Sequence, residues 1–64
     1  MSFQKRLKTV MRRRNMRVAD VARWFGRPYT TVREWVLNGR VPDGTERDRK
    51  FIERKLETLE RYNL

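Results

Sequence analysis

The stretch Val18-Ala19-Asp20-Val21-Ala22-Arg23-Trp24-Phe25-Gly26-Arg27-Pro28-Tyr29-Thr30-Thr31-Val32-Arg33-Glu34-Trp35-Val36-Leu37 decides how this chain is read. Val18, Val21, Ala22 and Phe25 recur at i, i+3, i+4 and i+7, which puts them on one apolar face of a short helix. Gly26 ends that helix. Pro28, a residue favoured in a first helical turn, opens another that runs to Leu37 or Asn38 with Thr31, Val32, Trp35 and Val36 as its inner face. The turn between them is tight, so the first helix must end on a residue free to take positive φ, and Gly26 serves. Ala22 supplies a small side chain where the two helices cross.

On the N-terminal side, Phe3, Leu7, Val10 and Met11 keep helical spacing within Ser2–Arg14, with Ser2 as N-cap and Asn15 as terminator. On the C-terminal side, Gly39 ends the helix that carries Trp35, and Val41-Pro42-Asp43-Gly44 is turn-forming. Thr45 or Asp43 caps a fourth helix over residues 46–62, with Glu46 or Asp48 as the capping-box partner. Phe51, Ile52, Leu56 and Leu59 make its apolar stripe, and Tyr62 lies beside it. No segment alternates strictly as a strand does. The expected fold is all-α: four helices in one domain spanning residues 1–64, without repeats and without a β-wing.

A 64-residue chain buries only roughly 60% of its unfolded surface, so it depends on good helix packing or on a partner. It has no cysteine and no histidine, which removes disulfides and the usual metal ligands; no metal and no cofactor is expected. Ser2 is the only serine, and no carboxylate pair falls where a cleft would enclose it, so an enzyme is not expected. Neither a membrane span nor an apolar leader is evident, and a chain without cysteine fits a cytoplasmic, nucleoid-associated setting. No small-molecule ligand is expected for so small a core.

The net charge of +9 is unevenly placed. Residues 1–42 carry eleven Lys or Arg against Asp20 and Glu34, whereas residues 43–64 carry six of each sign. A cationic front half asks for a polyanion, and nucleic acid is the commonest one in a cell.

Two short helices across a glycine turn are the essence of a helix-turn-helix, here residues 18–37, in which the second helix enters the major groove and the first braces it. Phe3-x-x-x-Leu7, Val21-Ala22-x-x-Phe25-Gly26, Thr31-Val32-x-x-Trp35 and Gly39-Arg40-x-Pro42 together resemble the lambda repressor/Cro-type helix-turn-helix family over residues 3–42. The chain departs from that pattern at Val18, Arg27 and Pro28. A weaker similarity to excisionase and MerR-like winged helices also touches Thr31 to Pro42, but their β-wing is at odds with the helix expected after Asp43. The resemblance implies a small DNA-binding transcriptional regulator, repressor-like and of a kind found in phages.

On this reading Tyr29, Thr30, Arg33 and Glu34 face base edges. Arg33 suits guanine O6 and N7, and Glu34 suits cytosine N4. Lys5, Arg6, Arg17, Arg27, Thr31, Asn38 and Arg40 flank the pair where phosphates run and would supply affinity without sequence information. The Arg12-Arg13-Arg14 run sits at a helix C-terminus, where the macrodipole favours cations, so a structural role competes with a phosphate role. Trp35 is expected in the core, and Trp24 either covers the core edge or meets a partner. One short helix reads few base pairs, so a homodimer on palindromic double-stranded DNA is expected. Ile52, Leu56, Leu59 and Tyr62 are the candidate pairing seam, although the same stripe can fold back over the core. Two other functions fit the composition: a DNA-recognition subunit of a phage terminase or recombination complex, and a basic module for RNA or an anionic membrane surface.

Overall fold

The computed structural model describes residues 2–40, 42 and 44–61. Among them the chain is all-helical: α1 (Phe3–Arg14), α2 (Val18–Phe25), α3 (Tyr29–Leu37) and α4 (Glu46–Arg61). No strand occurs among the described residues, and α4 occupies the sequence where a wing would follow. No helix there is long and apolar enough to cross a membrane. Asp43, a candidate cap, and Tyr62, a candidate pairing residue, lie outside the described residues.

Local chemistry sets the helix ends. Ser2 accepts the Lys5 N–H through its Oγ at 3.3 Å, and α1 closes on Asn15 at φ 55°. There the Met16 N–H reaches back to the Met11 carbonyl at 2.8 Å, satisfying one of the carbonyls a helix end would leave unpaired. α2 opens where the Arg17 N–H donates to Asp20 Oδ2 at 2.9 Å. It closes on Gly26 at φ 67°, with the Arg27 N–H returning to the Ala22 carbonyl at 3.1 Å. Pro28 differs from expectation: at ψ 146° it is the extended N-cap of α3 and not its first helical residue. It still starts the helix, since its carbonyl accepts the Val32 N–H at 3.1 Å. Thr45 caps α4 by accepting the Asp48 N–H at 3.2 Å.

One core joins all four helices: Leu7 and Val10 from α1, Val21, Ala22 and Phe25 from α2, Val32, Trp35 and Val36 from α3, and Ile52, Leu56 and Leu59 from α4. Trp35 is 3% exposed. Its ring meets Phe3 and Phe25 edge-on, each at a centroid distance of 5.7 Å, an arrangement that places ring edges on ring faces. Three expectations are corrected here. Thr31 is exposed and not part of the inner face of α3, because the buried row runs through Val32, Trp35 and Val36. Phe51 is 45% exposed at the margin of α4. Ile52, Leu56 and Leu59 are buried within this chain, so the row proposed for pairing two copies is already occupied by the chain's own α1 and α2.

Leu56 has no exposed surface, so Leu56→Ala is expected to cost about 2–5 kcal/mol through lost burial and a residual cavity. Thermal or urea unfolding should show that loss equally at widely different protein concentrations. A loss that grows on dilution would return Leu56 to an interface between copies.

Candidate functional site

α3 is held on three sides, and what it leaves uncovered forms the candidate site. Its inner row is fixed by the core and its start by the Gly26–Pro28 turn. Its end is held by α1, where Gln4 Nε2 donates to the Val36 carbonyl at 2.9 Å. Gly39, at φ 68°, passes the same side chain so closely that a Cβ there would lie 3.1 Å from Gln4 Oε1. Sequence spacing alone did not disclose this brace, because a polar residue beside an apolar stripe reads as solvated.

Tyr29 (52% exposed), Thr30 and Arg33 all stand in solvent on the outer side of α3. Arg33 has no acidic partner among the described residues. Leu37, 55% exposed, shares this face one turn beyond Arg33; it was missed because an apolar residue at a helix end reads as core. Glu34 behaves differently from its neighbours. Its carboxylate accepts from Asn38 Nδ2 and lies 3.9 Å from Arg40 Nε, and its backbone carbonyl accepts the Asn38 and Arg40 N–H groups. It therefore stiffens the end of α3, and Asn38, the C-cap, spends its amide on that job.

Arg27, Thr31, Glu34 and Arg40 come together with Asp48 around an open recess of about 390 Å³, floored by Trp35 and Ile52. Arg27 lies 3.9 Å from Asp48 and stacks over Phe51 at 5.8 Å, while Arg40 stays largely free in solvent. Two cations and two carboxylates cancel, so the recess has no net charge with which to hold an ion. Arg17 is exposed at the start of α2, and Lys5 is exposed on α1.

Arg6 does not join the candidate phosphate-facing set. Its guanidinium is turned onto α4, bonding Glu60 through Nε at 3.1 Å and Nη2 at 2.7 Å and Glu53 through Nη1. The planar guanidinium meets one carboxylate with two parallel bonds and holds a second with its remaining nitrogen, which keeps Arg6 on α4. Arg14 is likewise committed, donating to the Leu59 carbonyl at 2.8 Å. Trp24 covers the core edge: its Nε1 donates to the Lys55 carbonyl at 3.1 Å, and Lys55 Nζ sits 4.5 Å from the ring centroid.

On α4, Glu53 and Glu60 point to Arg6, whereas Glu46, Arg47, Lys50 and Arg54 surround exposed Phe51 on another face, with Lys50 lying 3.5 Å from Glu46.

Compared with protein-family models, curated proteins and solved structures, the chain matches none.

The hydrogen bonds from Arg6 hold the Glu60 carboxyl below its ordinary value of 4.5, against a smaller opposing effect of burial. A lowered folded value means the unfolded chain binds the extra proton. The Glu60 contribution is therefore complete above about pH 4.5 and lost as pH falls through the folded value. Glu60→Gln should be less stable than wild type by roughly 0.5–1 kcal/mol at neutral pH. The two unfolding curves should converge in acid, and a gap that stays constant with pH would remove the carboxylate from the account.

Proposed function

We propose that this chain binds double-stranded DNA sequence-specifically through the outer face of α3, as a small transcriptional regulator of helix-turn-helix type. One observation carries the reading. A short helix, locked by the Gly26 turn, the Gln4 brace and the buried Trp35, presents to solvent Tyr29, Thr30 and an Arg33 without an acidic partner among the described residues. A rigid, protruding helix of about 10–12 Å diameter matches a major groove about 12 Å wide. The excess of positive charge in residues 1–42 supplies the sequence-independent attraction such a module needs. The resemblance of residues 3–42 to lambda repressor/Cro-type domains supports the same reading.

Within it, Arg33 reads a guanine, and Tyr29 and Thr30 touch base edges or phosphates from the first turn of α3. Arg17, Arg40 and Lys5 contact the backbone; Arg6 and Glu34 are occupied internally and leave the contact set. Any pairing of two copies on a palindrome uses a surface other than the buried Ile52–Leu56–Leu59 row.

Selection of bound sequences from a random duplex pool tests the proposal. A shared motif is the expected result, with palindromic symmetry if two copies bind. Arg33→Ala should lose about 1–3 kcal/mol of discrimination at one position while retaining much of the affinity for random duplex. Arg17→Ala and Arg40→Ala should weaken cognate and random DNA alike and reduce the salt slope by about one each. An unchanged cognate-to-random ratio in Arg33→Ala would show that α3 is not the reading element.

A further inference from the structure

Leu37 is the one large aliphatic side chain that the described fold leaves more than half exposed, at 55%. Its position is not accidental to the candidate face. It follows Arg33 by four residues and Thr30 by seven, so all three stand on one side of α3, away from the row of Val32, Trp35 and Val36. Gln4 fixes the last turn of the helix through the Val36 carbonyl, immediately before Leu37, so the side chain projects from a held backbone and not from a frayed end. Asn38 and Glu34, the polar residues beside it, bond each other and leave Leu37 bare.

The major groove offers one apolar group, the C5 methyl of thymine. Every other feature of a base edge there is a donor or an acceptor that an aliphatic side chain cannot satisfy. We infer that Leu37 is a specificity-determining residue that seats a thymine methyl; this rests on the proposed reading of DNA by α3. Four residues of helix span about 6 Å along the axis. Successive bases on a strand are about 3.4 Å apart, so the thymine lies within about two base pairs of the guanine paired with Arg33. The face thus reads a mixed site: a guanine through the charged fork and a nearby thymine through its methyl. Cytosine in place of that thymine would lack the methyl and set its amino donor near the leucine, whose side chain cannot accept it.

The test removes the methyl and nothing else. After a preferred duplex has been selected with the wild-type chain, each thymine is replaced singly by deoxyuridine and binding is measured by fluorescence anisotropy. At one thymine, near the guanine whose preference Arg33→Ala relaxes, the wild type should bind the uracil duplex roughly fourfold more weakly, the worth of one buried methyl group. Leu37→Ala should bind the thymine and uracil duplexes equally. Circular dichroism should show its helices intact, because the side chain it loses is outside the core.

Uracil tolerated at every position within twofold would overturn the inference, even if Leu37→Ala proved unable to fold, because that scan uses only the wild-type chain. A uracil penalty that persists in Leu37→Ala would assign the methyl contact to another residue and overturn it equally. A change in sedimentation of Leu37→Ala with a flat uracil scan would make Leu37 a contact between copies instead. Failure to select any motif, with all duplexes bound alike, is a separate result: it removes the sequence-specific reading itself.

Discussion

The fold depends on the position of one indole. Trp35 comes from α3, yet its ring lies between Phe3 of α1 and Phe25 of α2, so three helices are located by one rigid plane. Edge-to-face contacts carry direction as well as burial, since a ring that slides or rotates loses the favourable placement of its neighbours' edges. With Trp35 fixed inward, the opposite side of a nine-residue helix has nowhere to go but outward. Tyr29, Thr30, Arg33 and Leu37 are presented because of what Trp35, Val32 and Val36 bury, and any role of the outer face is inherited from the inner one.

α1 works as a clamp as well as a core helix. From one end to the other it reaches α3 through Gln4 and α4 through Arg6 and Arg14. Two of those contacts end on backbone carbonyls near the C-termini of other helices, where four carbonyls lack a partner within their own helix. In so small a chain these polar ties complement a core of modest size. They also account for part of the Lys and Arg content: some cations are structural, and a charge total overstates how many face outward.

The elements were legible in the sequence because each rests on local chemistry. The apolar spacing of α1 and α2, Asn15 and Gly26 as left-handed terminators, and Thr45 as a cap all act within a turn or two of chain. Only Pro28 shifted, by one residue, because proline suits both the cap and the first helical position. What sequence could not supply was partnership across the chain. Arg6 reads as a surface cation until α4 is placed beside it, and the Ile52–Leu56–Leu59 row looks the same whether it meets α1 or another molecule. Thr31 was misjudged for a related reason: near the start of a short helix, periodicity cannot tell which side the neighbours cover. Among the candidate contact residues, Tyr29, Thr30, Arg33, Lys5, Arg17 and Arg40 are exposed, while Arg6 and Glu34 are held by their own chain.

The Arg6 clamp has an electrical corollary. Glu53 and Glu60 answer Arg6, and Glu60 also feels Arg13, so the charges cancel on that flank of a molecule that is otherwise strongly cationic. A polyanion drifting within a Debye length, about 8 Å at physiological salt, would therefore be drawn less to that flank than to the rest. Such a field exerts a torque as well as an attraction, turning the protein before any surfaces touch, and adding salt would blunt the steering together with the pull.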